Sequence, residues 1–328
     1  MKTILCDRTA IEMWSRGLCA DATPSRMKVL GNCAHRKQDI PGALFSHPSL
    51  TWPLHILVGD HGHRRSSADI QCHTWSKELP KKSICRLVDN IHVTTPEMSF
   101  LTASLSRALD VIDLIALGDE LCGTYSTIGF REGEGHAGYD FYTRQALCTP
   151  QSLNTFLAEA GLAPRSKALA AAKWLVPFSR SPMETLTEML LCLPPRLGGY
   201  GLPAPVMNAS VPLPPHIAKL AGIGTLHPDL CWPAQKVALE YKGQEDHDEP
   251  AQRVCDILRE NVLSHDGVTI ISLTKWQFAS FEGMRIIAKH LSGILGSRVK
   301  DGVRTEDRLE LHRRLCNMAS MRQELYTT

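Results

Sequence analysis

The chain has 328 residues, 43% of them hydrophobic and 21% charged, with a formal net charge of +2 at pH 7. That length exceeds a single core of ordinary size and predicts two domains; the composition excludes a largely disordered polymer. A near-neutral balance leaves any nucleic-acid binding to local clusters of Lys and Arg, and no apolar run approaches the roughly 20 residues needed to span a bilayer, which predicts no membrane partner.

The 11 cysteines show no CxxC pair and no zinc-finger spacing, and the N-terminus lacks an apolar signal segment. They are expected to be reduced, mostly buried thiols of a cytoplasmic protein. The first stretch, to about Ser49, holds a helical pattern around Thr9–Leu18 and then small, polar and Pro-rich sequence. From Leu54 the texture changes. His55–Val58, Ile70–Trp75, Ile84–Leu87 and Ile91–Thr94 are short runs of β-type residues between polar or Pro/Gly turns, which predicts a small antiparallel sheet.

Thr95-Pro96-Glu97 is a helix start, with Thr as N-cap and Pro at the first helical position, and Phe100, Leu101, Leu105 and Leu109 follow at helical spacing. Further helices are expected over Val111–Leu121, from Thr149-Pro150 to about Ala160, and over Arg165–Leu175. Gly129–Gly138 reads as a turn-rich loop and Gly161 as a helix break.

The last segment alternates helix and strand: helix Pro182–Leu193, a Pro/Gly-rich loop, strands Leu226–Cys231 and Lys236–Tyr241, helix Glu249–Leu263 and strand Val268–Leu273. Such alternation predicts an α/β layer architecture. After Phe278 the chain is expected to be helical to its end, with a weak apolar stripe at Leu311, Leu315 and Met318. The expected organisation is α/β overall: a mixed α+β region over residues 1–178, an α/β domain with a central mixed sheet over 179–297, and a helical tail over 298–328, with the boundary near Ser179.

One constellation in the second half carries chemistry. Pro228-Asp229 and Glu240-Tyr241-Lys242 fall on adjacent short strands joined by a tight Trp-Pro-Ala-Gln turn. Glu240 and Lys242, two apart on a strand, project from one face while Tyr241 points away. With Asp229 opposite them, two carboxylates suit a hard divalent cation, Mg²⁺ with Mn²⁺ as substitute, leaving water and substrate phosphate to complete an oxygen shell. Lys242 is placed to orient the attacking water or to stabilise developing negative charge. An exposed salt-bridge cluster is the plainer reading of the same three residues; the apolar run Val237-Ala238-Leu239 just before Glu240 argues for a buried strand emerging at a site.

This pattern, with Glu184 on an early helix, resembles the PD-(D/E)XK nucleases, and residues from about Ser181 to Leu295 are similar to the very-short-patch-repair endonucleases. In those proteins an early Glu-bearing helix precedes a strand with Asp, a strand ending in Glu-x-Lys or Glu-x-Asp-Gly, and a basic helix leading to another strand. Here the matching elements are Glu184, Asp229, Glu240-Tyr241-Lys242-Gly243, the helix with Asp256–Asn261 and Val268–Leu273. The resemblance implies a restriction-endonuclease-like domain that hydrolyses phosphodiester bonds in DNA with Mg²⁺, and Glu184, Asp229, Glu240 and Lys242 as catalytic residues. Many relatives carry Asp at the position of Lys242 and a nearby His that corresponds loosely to His247. Upstream, Val93-Thr94-Thr95-Pro96 and the helix after it resemble actinobacterial proteins that pair such a domain with an abortive-infection type IV antitoxin-like region, which implies a protein partner or DNA for that half.

Glu184 also completes a capping box with Ser181 and Pro182, and the two roles are compatible. His247 sits among Glu245, Asp246, Asp248 and Glu249 and reads as a solvated loop residue as much as a ligand. For phosphate contacts the candidates are Arg64 and Arg65 beside His61 and His63, Arg165 and Lys167 on a cationic helix, and Arg253 and Arg259, which equally pair with Asp256 and Glu260 on their own helix. Thr149–Leu175 matches a helix-turn-helix as loosely as many helical hairpins do, and Ala168–Ala172 suggests close helix packing. The function expected is therefore a metal-dependent endonuclease acting on DNA. The rival is a non-catalytic regulator, DNA-binding or antitoxin-like, that keeps the nuclease fold.

Overall fold

The computed structural model describes residues 1–48, 50–63, 65–128, 141–161, 165–212, 215, 218, 224–242, 268–299 and 304–324. The chain is a mixed α/β protein that divides into two units, Met1–Pro177 and Phe178–Thr328.

Unit 1 begins with β1 (Thr3–Leu5), α1 (Asp7–Ser15), β2 (Thr23–Pro24), a single helical turn α2 (Gly42–Phe45), β3 (Leu54–Val58), β4 (Ile70–Thr74), β5 (Ile84–Val88) and β6 (Ile91–Thr94). These strands form one six-stranded sheet in the order β2-β5-β6-β1-β3-β4. The antiparallel expectation holds for β5 and β6, whose register breaks at a bulge between Arg86 and Val88. It fails for β3 and β4, which run parallel, because the segment between them is long enough for a crossover that a hairpin turn is not. The central strand β1, with no counterpart in the sequence reading, pairs parallel with β6 and antiparallel with β3. It is three residues long and wholly buried, so it presents no alternation to read. Ala10 and Met13 of α1 pack with Leu5, Leu54, Ile56, Ile70 and Val93 into the core beneath the sheet.

The helical half of unit 1 holds α3 (Pro96–Ala103), α4 (Val111–Cys122), the short strands β7 (Tyr125–Ser126) and β8 (Tyr142–Thr143), α5 (Pro150–Glu159) and α6 (Ser166–Ala172). Thr95 caps α3 by accepting from the Met98 N–H. The helix stops at Ala103, short of Leu105 and Leu109, because Asp110 starts α4 afresh with a reciprocal capping box to Asp113. Helix α6 packs on α4 and α5, and Ala168, Ala171 and Ala172 are buried there. Gly118 of α4 has no room for a side chain: a Cβ would meet the Leu175 methyls.

Unit 2 comprises α7 (Pro182–Cys192), β9 (Val206–Met207), β10 (Val211–Pro212), β11 (Thr225–Leu226), β12 (Leu230–Trp232), β13 (Val237–Lys242), β14 (Thr269–Thr274), α8 (Lys275–Ala279), α9 (Phe281–Ile294) and α10 (Thr305–Glu324). A four-stranded mixed sheet runs β14-β13-β12-β9, with β13 and β14 parallel and the other pairs antiparallel. The strand expected over Leu226–Cys231 is two strands with different partners, β11 on β10 and β12 on β13. Pro228 falls in the interruption, and its missing N–H denies the ladder a donor there. The segment expected as a tail is a packed layer of unit 2. Leu311 and Leu315 are buried, the Arg308 guanidinium lies over the Tyr200 ring, and His312 Nε2 meets the Phe278 carbonyl at 2.8 Å. Gly198, at φ +87°, lets the α10 backbone pass where any Cβ would collide with Asp307 and Leu311. The expected loop Gly129–Gly138 and helix Glu249–Leu263 lie outside the described residues.

Candidate active site

The site residues converge because three local devices place them on neighbouring elements. Ser181 starts α7, its hydroxyl accepting from the Glu184 N–H at 3.2 Å. The β12–β13 hairpin turns through Pro233–Gln235 and Lys236, the latter in the left-handed region at φ +50°, and registers Leu230 against Leu239. Continuing that register one residue puts Asp229 opposite Glu240. Glu240 and Lys242 share a face of β13, and the Lys242 ammonium meets Glu240 Oε2 at 3.0 Å.

Asp229 is held from both sides. Its Oδ2 accepts the Tyr241 N–H at 2.7 Å, and its carbonyl accepts the Asn208 N–H at 2.9 Å. Burial and the Glu184 carboxylate, with a further push from Glu240, raise the Asp229 carboxyl to about 7, against the opposing pull of the Tyr241 N–H and Lys242. Two further acids and one ammonium therefore act on the Asp229 carboxyl.

Glu184 has the more specific place. Its Oε2 accepts the Arg180 N–H at 2.8 Å and the Asn208 amide at 2.6 Å, and its Oε1 accepts the Ser181 hydroxyl at 3.0 Å. The carboxylate thus reaches one residue further out than a capping box requires, and both oxygens are taken. Burial raises its carboxyl, with these donors opposing. Glu184 bears on the site through its charge beside Asp229, while its oxygens serve the start of α7.

Asn208, at φ +48°, ties Glu184 to the segment before α7: its side chain also donates to the Phe178 carbonyl at 2.9 Å. Nothing in the sequence marks it, since a lone Asn in a Pro-rich stretch reads as a turn. Glu188, one helical turn after Glu184, is buried, with Oε2 unpartnered among the described residues; burial pushes its carboxyl up to about 8. Trp276, 84% exposed, is the second residue of α8, two beyond Thr274 of β14, which pairs with Lys242. An apolar side chain that open is a signal sequence periodicity does not carry.

The donor set suits a hard cation. The Asp229 and Glu240 carboxylates are hard oxygen ligands, and their crowding is relieved by an added positive charge. Among the described residues, the one group of three or more His, Cys, Asp or Glu ligand atoms lying within 4.8 Å of each other is Asp7, His55 and His73, in unit 1. The unit 2 acids are thus a pair of candidate ligands with Glu184 behind them.

The basic candidates separate. Arg65 is exposed. Lys167 is half-buried, and its ammonium is held by the Ser106 and Leu109 carbonyls at 2.5 and 2.6 Å. Arg165, also half-buried, donates to the Ala158 carbonyl at 3.2 Å. Arg64, Arg253, Arg259 and His247 lie outside the described residues. No protein-family model matches the chain, and no curated protein or solved structure is significantly similar to it.

Proposed function

We propose that this protein is a divalent-metal-dependent endonuclease of the PD-(D/E)XK type that hydrolyses phosphodiester bonds in DNA, with its site in a restriction-endonuclease-like unit 2. The observation that carries the reading is the convergence of Asp229, Glu240 and Lys242 at the ends of β12 and β13, with the Asp229 carboxyl raised to about 7 by burial and its acidic neighbours. Two crowded carboxylates beside one ammonium form a site whose charge is completed by a cation.

Asp229 and Glu240 are the residues that would hold Mg²⁺ or Mn²⁺. When bound, such an ion polarises the scissile phosphate and makes a water molecule more acidic. The Tyr241 N–H and the Asn208 N–H fix Asp229 in place, so its carboxylate is oriented before substrate arrives. Lys242 brings a positive charge to the negative charge that develops on the phosphate oxygens. Glu184, through its field on Asp229, keeps that carboxyl proton-hungry until a cation binds. The exposed Trp276 offers a face on which an unpaired base can stack.

The test is cleavage of supercoiled plasmid by the full chain with Mg²⁺, with and without chelator, alongside Lys242→Ala and Asp229→Asn. Chelator-sensitive nicking lost in both variants is the expected result. DNA binding without cleavage at any Mg²⁺ or Mn²⁺ concentration favours the non-catalytic regulator instead.

A further inference from the structure

Unit 1 contains a second convergence of chemistry-bearing side chains that the nuclease reading does not use. Asp7 is the first residue of α1, His55 lies on β3 and His73 on β4. The parallel register sets His55 against Gln71 and Leu57 against His73, so both imidazoles rise from one face of the sheet, two residues apart along it. Their rings stack with centroids 5.0 Å apart. The start of α1 is clamped to the same strand, with the Cys6 N–H donating to the His55 carbonyl at 2.9 Å and the His55 N–H to Thr9 Oγ1 at 2.9 Å. Asp7 is thereby held beside the two rings, at φ +49°, a backbone region that Asp tolerates better than most residues.

The three ligand atoms form a tight triangle. His73 Nε2 is 3.0 Å from His55 Nδ1, and Asp7 Oδ2 is 3.5 Å from His73 Nε2 and 3.9 Å from His55 Nδ1. Ligands about 2.05 Å from a tetrahedral Zn²⁺ stand about 3.3 Å from each other, whereas cis ligands of an octahedral ion of similar bond length stand about 3.0 Å apart. Two of the three edges exceed the octahedral spacing and the triangle brackets the tetrahedral one. The three side chains are 17–23% exposed, so a fourth position is open to water. Two imidazole nitrogens and one carboxylate oxygen are a borderline donor set, unsuited to Mg²⁺ or Ca²⁺, which take oxygen shells.

We propose that Asp7, His55 and His73 form a three-ligand Zn²⁺ site that ties α1 to β3 and β4 and leaves one coordination position for water. It is separate in chemistry from the carboxylate pair of unit 2 and does not depend on the nuclease reading. Without an ion the same atoms are a hydrogen-bonded Asp–His–His chain, and the experiment distinguishes the two.

Full-length protein, stripped with chelator and dialysed, is titrated calorimetrically with Zn²⁺ in excess Mg²⁺, which occupies hard oxygen sites. One Zn²⁺ per chain is expected, with affinity falling roughly a hundredfold or more in His73→Gln and in Asp7→Asn. Zn²⁺ should also raise the melting temperature of the wild type but not of these variants. Co²⁺ added to the wild type is expected to give the intense visible band of a four-coordinate ion, retained in Asp229→Asn. If His73→Gln fails to fold, Asp7→Asn, which preserves shape, and the wild-type Co²⁺ spectrum decide the matter. Absence of Zn²⁺ binding in excess Mg²⁺, binding unchanged in Asp7→Asn, or only a weak octahedral Co²⁺ spectrum overturns the site.

Discussion

The two units each place an aspartate just beyond the end of an inner strand of a sheet, and they treat it oppositely. Asp7 in unit 1 has two imidazoles within 3.9 Å. Burial alone would raise its carboxyl, but the His55 hydrogen bond and the charges of His73 and His55 outweigh burial and leave it below the ordinary range. Asp229 in unit 2 has carboxylates for neighbours, and burial plus Glu184 carries it up to about 7. The same residue type is thus a settled anion in one place and an unsatisfied acid in the other. What differs is the neighbour: imidazoles, which favour the carboxylate, beside Asp7, and further carboxylates, which disfavour it, beside Asp229.

That contrast is broken most severely by removing the unsatisfied acid. Asp229→Asn keeps an oxygen for the Tyr241 N–H but removes the charge from the pair, so Mg²⁺-dependent cleavage should fall by about a thousandfold or more, the scale of losing one electrostatic element of a catalytic site. Lys242→Ala should do comparable damage. Quantified plasmid nicking at saturating Mg²⁺ checks both, and a variant within tenfold of wild type, about 1.4 kcal/mol, would remove that residue from the site.

The next effect is on stability. Glu188 is raised by burial to about 8 and Asp229 to about 7, so folded unit 2 keeps protons that the unfolded chain releases above about pH 4. The stability these groups contribute is fully present below about pH 4 and is lost as pH rises through 7 and 8. Glu188→Gln, which needs no proton to be neutral, should raise stability above pH 8 by on the order of 2 kcal/mol and flatten the decline. Urea melts of wild type and variant at pH 5, 7 and 9 read this directly, and parallel slopes in the two proteins would mean that Glu188 does not carry the dependence.

A smaller effect sharpens the role of Glu184. Its oxygens accept from the Arg180 N–H, the Asn208 amide and the Ser181 hydroxyl. Glu184→Gln can keep its oxygen toward Arg180 and Asn208, with the new amide facing Ser181 Oγ. The cost should be about 1 kcal/mol, the difference between charged and neutral hydrogen bonds. Cleavage should fall further than stability, because the field on Asp229 is gone. Equal losses in a melt and in a nicking assay would assign Glu184 to the helix start alone.

Much of this was legible in the chain, for reasons that can be named. Glu240 and Lys242 share a face because strand periodicity is two, and the apolar run before them announces a buried strand; the Lys242–Glu240 contact follows from both. Thr95, Ser181 and Pro182 mark helix starts by chemistry that acts within one turn. What escaped is long-range. Asn208 matters because β9 pairs with β12, a partnership no local pattern encodes. His55 and His73 sit in strands correctly located by their β-type residues, yet the antiparallel pairing expected for them hid their meeting. Asp7 falls inside a strand–helix junction whose strand is too short to read. Lys167, on the helix expected over Arg165–Leu175, reads as a surface cation because charge is visible in sequence and a carbonyl cage is not.

That last residue leads to the finest distinction, between cations that serve the fold and cations left for phosphate. Lys167 spends its ammonium on the Ser106 and Leu109 carbonyls, in the stretch between α3 and α4, whereas Arg65 is exposed at the turn after His61–His63. Lys167→Met should lower stability by about 1 kcal/mol, since two carbonyls lose their charged donor, and leave the salt dependence of DNA binding where it was. Arg65→Ala should leave the melt unchanged and reduce the slope of log affinity against log salt by about 0.9, the share of one phosphate contact on duplex DNA. Both quantities come from the same pair of proteins, by urea melts and by anisotropy of a labelled duplex over a salt series. If Arg65→Ala leaves the slope intact, the turn does not touch the backbone; if Lys167→Met lowers it, the carbonyl contacts yield to phosphate when DNA is present. The sign of each change, more than its size, separates the two kinds of cation.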